Sequence, residues 1–219
     1  MKILTFDTST ETMYVTIGND SVVDAFKIIE TTEKSYNSAF LIPVIIELLK
    51  EQNLTMQDIG AIGVNIGPGS FTGVRASATV AKVMANQLDI PVVGISSMEV
   101  YSCLNTSEKD SLVLLDARRG KTYFARYGEE TIAPCAMEYE EALEYAKNDD
   151  LFIISDKKMS EMLGQEGLEC LNLPECKENL GLFLAELTFK YLKEQTKTKW
   201  QDLKPLYIQP PPISMPKKV

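Results

Sequence analysis

The order in which predicted strands and helices follow one another constrains the fold of this chain more than any other feature of its sequence. Three short apolar segments, separated by turn signals such as Gly18-Asn19-Asp20, predict an antiparallel meander at the start of the chain. Helices then alternate with strands, which indicates an α/β protein with a mixed sheet. The first half is predicted to hold strands at 3–6, 13–17 and 22–28, a helix at 38–52, a strand at 62–66, a helix at 71–88 and a strand at 92–95.

The second half of the sequence repeats this alternation less regularly. It is predicted to hold strands at 112–115, 122–127 and 151–154 and helices at 139–147 and 180–194. Because the stretch 105–111 is polar, we predict a first lobe at 1–105 and a second lobe at 106–208. The tail 209–219 contains Pro210-Pro211-Pro212 and is expected to lack regular structure.

Composition excludes several functions. The chain of 219 residues carries 22 Lys plus Arg against 31 Asp plus Glu, a net charge of -9, so strong direct binding of nucleic acid is not expected. The sequence has no histidine, which excludes Ser-His and Cys-His nucleophile pairs and every metal site that uses imidazole. The 4 cysteines show no C-x-x-C spacing, so neither zinc nor disulfides are predicted.

No targeting or membrane segment is expected in this sequence. No apolar run approaches the ~18 residues needed to span a bilayer, and Asp7 comes too early for a signal peptide. We therefore expect a cytoplasmic protein that does not bind a membrane.

A glycine-rich loop follows the predicted strand at 62–66. The run Gly67-Pro68-Gly69-Ser70-Phe71-Thr72-Gly73-Val74-Arg75 joins that strand to the next helix, and its glycines permit close backbone approach. Amides at a helix N-terminus can hold a phosphate, with Gly67 and Gly69 as candidate contacts. The loop lacks the Gly-Lys-Ser/Thr of a Walker A motif and the glycine spacing of the Rossmann fingerprint. A tight structural turn is therefore the favoured interpretation.

Two aspartates at strand ends are further candidates for chemistry. The run Asp7-Thr8-Ser9 ends the first strand, where a carboxylate beside hydroxyls could hold hydrated Mg²⁺ or a phosphate. An Asp that closes its own turn is an equally weighted interpretation. Asp116, in Asp116-Ala117-Arg118-Arg119-Gly120, could help to recognise an anion, but a charged hairpin turn is favoured there.

The two predicted helices of the first half carry apolar residues over more than one face. At about 100° per residue, the apolar residues of the helix at 71–88 cover an arc of about 220°. Packing against one sheet needs about half of that arc. Either the helices at 38–52 and 71–88 are sandwiched within this chain, or they form a partner surface, which is the favoured interpretation. The side chains assigned to that surface are Leu41, Ile45, Leu48, Ala76, Val80 and Val83.

Taken together, these segments resemble those of a known protein family. The chain is similar to TsaB (YeaZ) proteins in segments that occur in the same order and spacing, and the similarity runs nearly end to end. The similar segments are 3–10, 67–75, 90–98, 115–123 and 205–208. The glycine-rich loop is the most specific of these motifs.

The resemblance implies both a fold and a role. The fold is that of actin, hexokinase and Hsp70, with two ribonuclease-H-like lobes of which the second is reduced. The role is that of a non-catalytic partner of TsaD, the relative that transfers a threonylcarbamoyl group to the adenosine next to the tRNA anticodon. TsaD holds a metal through a His-x-x-x-His motif, whose two ligand positions fall on Ser97 and Tyr101 in this sequence. Neither residue is a good replacement for imidazole.

Partners and cofactors are also implied by the resemblance. The chain is expected to bind a TsaD-type paralogue and then a TsaE-type ATPase, and the same two helices are a candidate homodimer surface. No tightly bound cofactor or metal is expected. ATP with Mg²⁺ is expected to bind only weakly, or within the complex, through Asp7, Thr8, Ser9, Gly67, Gly69 and Asp116.

Two enzymatic functions are alternatives to the partner role. A small-molecule kinase of the same fold would use Asp7 and Asp116 to position Mg²⁺ and a nucleotide. A peptidase is disfavoured, because the sequence lacks the histidine that the usual zinc and nucleophile mechanisms need.

Overall fold

The strands of the chain form two mixed sheets, one after the other along the sequence. The computed structural model describes residues 1–19, 22–30, 37–173, 176, 179–194 and 199–209. The strands are β1 (Lys2–Asp7), β2 (Thr12–Asn19), β3 (Val22–Glu30), β4 (Ile59–Asn65), β5 (Val92–Ile95), β6 (Ser111–Asp116), β7 (Lys121–Tyr127), β8 (Ile132–Glu138), β9 (Phe152–Ser155) and β10 (Leu171–Asn172). Within the described residues, the first sheet has the order β3-β2-β1-β4-β5 and the second the order β10-β9-β6-β7-β8.

The two sheets repeat one topology. In the first, the antiparallel meander β1-β2-β3 is extended by β4 and β5, which run parallel to β1. In the second, the meander β6-β7-β8 is extended by β9 and β10 in the same way. The helices are α1 (Leu41–Glu51), α2 (Phe71–Leu88), α3 (Ser97–Ser102), α4 (Tyr139–Asn148), α5 (Lys157–Gln165) and α6 (Leu180–Lys193), with 3₁₀ turns at Asn37–Ala39 and Met56–Asp58. The prediction of an α/β chain with mixed sheets is confirmed.

The apolar core is divided among the layers of this structure. Helices α1 and α2 cover one face of the first sheet, and α4 and α5 cover the outer face of the second. Between the two sheets lie α3 and α6, where Tyr14 and Ile95 of the first lobe share a cluster with Val113 and Leu115 of the second. Because burial of apolar surface is the main stabilising term, this shared cluster holds the lobes together.

The C-terminal helix belongs structurally to the first lobe. Helix α6 contacts every strand of the first sheet, and its Ala185 and Phe189 pack on buried side chains there. Thr188 lies so close to β4 that a Cβ at Gly63 would overlap its hydroxyl group, so this approach requires glycine. The predicted boundary falls between α3 and β6. The assignment of all of 106–208 to the second lobe is corrected by the position of α6.

The longer predicted elements are confirmed, with ends that differ by a few residues. The sequence does not predict α3, β8, α5 and β10, which are short or poorly alternating. Pro134 lies within β8, a half-buried edge strand, and Ser96 caps α3 by accepting a hydrogen bond from the Met98 amide. The Pro-rich tail from 210 onward lies outside the described residues. Among those described, no helix combines the length and the apolar character needed to cross a bilayer.

Candidate functional site

Asp7 lies at the end of β1, in the interior of the molecule. Its Oδ1 accepts a hydrogen bond from the Ser9 amide at 2.6 Å, and its Oδ2 accepts one from Asn65 Nδ2 at 2.7 Å. Burial raises the pKa of Asp7 above its usual range, while the hydrogen bonds from Ser9 and Asn65 act in the opposite direction. The carboxylate closes its own turn, as one of the two sequence interpretations predicts.

Asn65 links Asp7 to the glycine-rich loop. Its Oδ1 accepts from the Gly67 amide at 2.7 Å and lies 2.8 Å from Ser97 Oγ. The Ser97 hydroxyl also lies 2.8 Å from the Pro68 carbonyl oxygen, so its single proton can be donated to either acceptor. Sequence reasoning missed Asn65, although an Asn that ends an apolar strand before a glycine-rich loop was the available signal.

The glycines of the loop serve backbone packing against the turn after β1. A Cβ at Gly69 would lie 2.6 Å from the Ser9 carbonyl oxygen, and one at Gly73 would overlap the Thr8 carbonyl oxygen. The Ser70 amide donates to the Ser9 carbonyl at 2.6 Å, and Thr8 Oγ1 donates to the Gly73 carbonyl at 2.7 Å. These contacts support the structural interpretation of the loop, because the Gly67, Ser70 and Gly73 amides are bonded within the chain.

The two positions that the resemblance assigns to metal ligands lie on α3. Ser97 is fully buried within the Asn65 network, and Tyr101 is buried one turn further along. Burial raises the pKa of the Tyr101 hydroxyl, and the charges of Asp7 and, more weakly, Asp156 raise it further. Tyr101 therefore carries a neutral hydroxyl. These side chains do not fit a divalent metal, and the described residues contain no cluster of three or more metal-binding side chains.

Asp116 forms a turn in the second lobe. Its Oδ1 accepts from the Arg118 amide at 3.0 Å and pairs with Lys158 Nζ at 2.9 Å. Arg118 and Arg119 have φ values of 63° and 56°, and Gly120 follows at 76°, as a tight hairpin requires. The interpretation as a charged hairpin turn is confirmed. The polar partners of Asp116 belong to the second lobe, so the structure does not bond it to the Asp7 network.

The exposed side chains of α1 and α2 are mostly not the ones that the sequence assigned to a partner surface. Leu41, Ile45 and Leu48 are buried in the core under α1, which corrects their assignment to a partner surface. The physical reason is that this stripe of α1 faces β2 and β3, whose side chains cover it. The large apolar side chains of α1 that are exposed are instead Ile42 and Ile46.

On α2, only one of the three residues assigned to a partner surface is exposed. Val83 is 56% exposed, whereas Ala76 and Val80 are half-buried and Val80 packs against the core cluster. Phe71, at the start of the helix, is also exposed. We use the name outer surface for the exposed side chains of this layer, which are Phe40, Ile42, Ile46, Phe71 and Val83.

The fold and the site define a class of protein. Two lobes of repeated topology, with an aspartate and a glycine-rich loop at the strand ends of the first, give this chain the fold class that the resemblance implies, that of actin, hexokinase and Hsp70. The strand-end side chains Asp7 and Asn65 are hydrogen-bonded to each other.

Comparison with known proteins identifies the family. A family model described as TsaD, tRNA N6-adenosine threonylcarbamoyltransferase, matches residues 31–200, more than half of the chain. The TsaB protein of Bacillus subtilis, named for tRNA threonylcarbamoyladenosine biosynthesis, is 38% identical over 129 residues, which are 58% of this chain and 55% of that protein. TsaB of Escherichia coli is 32% identical over 130 residues, again 58% and 55%. The chain thus spans about half the length of the curated relatives it matches.

A solved structure shares the fold. YeaZ from Pseudomonas aeruginosa matches with a TM-score of 0.73 over 94% of this chain and 99% of that chain, at 16% identity. An identity this low shows a common fold alone. From the family model and the curated relatives together, the chain belongs to the TsaD-related family, among its TsaB (YeaZ) members.

Proposed function

We propose that this chain is a non-catalytic subunit that binds a TsaD-type paralogue and supports formation of threonylcarbamoyladenosine next to the tRNA anticodon. The proposal depends on Ser97 and Tyr101, which stand where the TsaD pattern has metal-binding histidines. Both are buried, and the Ser97 hydroxyl is bonded to neighbouring acceptors instead of facing open space. A pair of neutral hydroxyls in these positions supports a structural role better than a metal-dependent one.

The outer surface supports a role in association. Its apolar side chains extend from the layer of helices that has no second sheet above it among the described residues. Exposed apolar side chains that lie together on a helical layer are typical of protein interfaces. We infer that the paralogue covers this surface in the complex, and that a second copy of this chain covers it when the paralogue is absent. A TsaE-type ATPase would then join the assembled pair in the cytoplasm.

The interior site does not support strong nucleotide binding. Asp7, Thr8 and Ser9 are buried, so a nucleotide could reach them only if the surrounding structure moved. Weak binding of ATP with Mg²⁺ within the complex stays a prediction. The net charge of -9 argues that tRNA is held by the paralogue and not by this chain alone.

Reconstitution tests the proposed function directly. Threonylcarbamoyladenosine in tRNA would be measured by nucleoside mass spectrometry after incubation with the paralogue, the TsaE-type ATPase, threonylcarbamoyl-adenylate and ATP, with and without this chain. We expect product only when both this chain and the paralogue are present. Product formed by this chain without the paralogue would show that it is catalytic, and equal product without this chain would show that it is not a required subunit.

A further inference from the structure

An arginine contacts two exposed aromatic rings at the start of α2. The Arg75 guanidinium carbon lies 3.8 Å from the centroid of the Phe71 ring and 5.5 Å from that of Tyr207. Arg75 Nε donates a hydrogen bond to the Tyr207 hydroxyl at 2.7 Å. Phe71 is 52% exposed and Tyr207 is 49% exposed, so the assembly lies open to solvent. We call Phe71, Arg75 and Tyr207 the arginine cluster.

The Arg75 guanidinium of the arginine cluster has N–H donors without acceptors among the described residues. Among the described residues, Arg75 forms no ion pair, and its two Nη groups have no hydrogen-bond acceptor. Arg126 shows the opposite case, since its guanidinium is bonded to the Tyr145 hydroxyl and to three carboxylates. Arg75 is thus held in place by aromatic side chains and not by a carboxylate, although the chain has a net charge of -9.

The C-terminal segment fixes the second ring of the cluster. Leu203 is buried in the core beneath α1 and α2, and the Leu206 amide donates to the Ile66 carbonyl at 2.7 Å. These two anchors bring Tyr207 to the first turn of α2, although it lies more than a hundred residues away in sequence. The position of Arg75 is therefore settled before any partner binds, which lowers the entropy cost of using it.

The arginine cluster is continuous with the outer surface. Phe71, Arg75, Thr79 and Val83 are all exposed and follow one another at four-residue spacing, so they lie on one face of α2. Arginine and aromatic side chains are enriched at the energetic centres of protein interfaces. The cluster thus supplies a charged anchor at one end of this exposed row of side chains.

We propose that Arg75, held by Phe71 and Tyr207, is the anchor that receives a carboxylate of the TsaD-type paralogue, and that the C-terminal segment is therefore part of the binding surface. This inference rests on the proposed function. A carboxylate matches the two free Nη groups, which can form parallel hydrogen bonds to its two oxygens. An RNA phosphate is a poorer occupant, because the surrounding negative charge of the chain repels a polyanion.

Substitutions at Arg75 test the proposal through the affinity for the purified paralogue, measured by isothermal titration calorimetry. We expect Arg75→Ala to weaken binding by about tenfold or more. Arg75→Lys should weaken it nearly as much, because lysine keeps the charge but cannot stack or form a paired hydrogen bond in the same way. Tyr207→Phe, which removes only the acceptor for Nε, should weaken binding by a few-fold at most.

Arg119→Ala is the matched control. Arg119 is exposed in the second lobe and has no side-chain partner among the described residues, so its loss changes the net charge equally and should leave the affinity unchanged. Circular dichroism and thermal melting should show all variants folded, because the altered side chains are exposed.

Three results would overturn the proposal. Wild-type affinity in Arg75→Ala or Arg75→Lys would show that Arg75 is no anchor while the proposed function stands. Equal weakening by Arg119→Ala would show an effect of net charge alone. Loss of self-association with unchanged affinity for the paralogue would assign the cluster to a second copy of this chain. Absence of binding by the wild-type chain would instead refute the proposed function itself.

Discussion

The interior site around Asp7 and the outer surface of α1 and α2 differ in whether their side chains already have partners within the chain. The interior site holds the motif residues, yet Asp7, Asn65 and Ser97 are bonded to one another or to nearby backbone. The outer surface keeps exposed apolar side chains, and beside it Arg75, the last residue of the glycine-rich run 67–75, has two Nη groups without an acceptor among the described residues. Exposed apolar side chains and exposed donors without acceptors therefore indicate where a partner can bind better than buried motif residues do.

Neighbouring residues on α1 give the sharpest test of this contrast. Ile45 is 1% exposed and Ile46 is 47% exposed. Ile45→Asp buries a charge without a partner and should cost about 4 kcal/mol or more, a large part of the stability of a typical domain. Ile46→Asp should change the free energy of unfolding by only about 0.5 kcal/mol. Urea denaturation followed by circular dichroism measures both.

The same pair separates folding from association. Ile46→Asp should weaken binding to the TsaD-type paralogue by roughly tenfold or more, because the new charge loses water in the interface. If Ile46→Asp binds with wild-type affinity, the outer surface near α1 is not covered by the paralogue. If Ile45→Asp is as stable as wild type, the core assignment of that stripe is wrong.

Two helical glycines, one in close contact with backbone and one without neighbours, should differ in how replacement by alanine changes stability. Gly73 of α2 touches the Thr8 carbonyl so closely that a Cβ would overlap it, whereas a Cβ at Gly164 of α5 would meet nothing within 4 Å. Gly73→Ala should destabilise the chain by about 2–3 kcal/mol, because backbone must move away. Gly164→Ala should stabilise it by up to about 1 kcal/mol through helix propensity. Equal effects in thermal melts of the two variants would contradict the packing role of the glycine-rich loop.

The smallest expected effect is a dependence of stability on pH. Because burial raises the pKa of Asp7 above its ordinary value of 3.8, folding favours the protonated form. The stability of wild type relative to Asp7→Asn should therefore be highest below pH 3.8 and fall as the pH rises through the folded-state pKa. The measurement is urea denaturation of both proteins at a series of pH values between about 3.5 and 7, where the ordinary carboxyl pKa lies at the lower end.

Asp110 is a control for which stability should depend on pH in the opposite direction. Hydrogen bonds from the Glu129 amide and Arg126, with a further one from the Glu130 amide, lower the pKa of Asp110 below 3.8. Wild type should thus keep its advantage over Asp110→Asn above pH 3.8 and lose it as the pH falls through the folded-state pKa. If the two aspartates give the same direction, the buried state of the Asp7 carboxylate is not as the structure describes.

Much of the fold was predictable because its signals are local. Apolar alternation, turn residues and helical periodicity depend on neighbours along the chain, and they predict the longer strands and helices. The turn at Asp116 was predictable for the same reason, since Asp and Gly favour turns by bonding and flexibility within a few residues. The family was predictable from the resemblance, of which the glycine-rich loop is the most specific part, and the comparisons confirm it.

The candidate site was less predictable because its members come from distant parts of the sequence. Asn65, Ser97 and Asp7 form one network only after β1, β4 and α3 meet. Tyr207 reaches Arg75 only because Leu203 and Leu206 are anchored beside β4 and β5. No local pattern records such contacts.

The sequence by itself determined which longer segments of this protein become strands and helices, and that α1 and α2 carry more apolar surface than one sheet can cover. Only the tertiary structure decided which apolar residues remain outside. Ile45 and Ile46 have the same side chain and the same helix propensity, so nothing local distinguishes them. The difference arises because β2 and β3 pair beneath α1 and cover one stripe of the helix, and burial depends on that long-range packing.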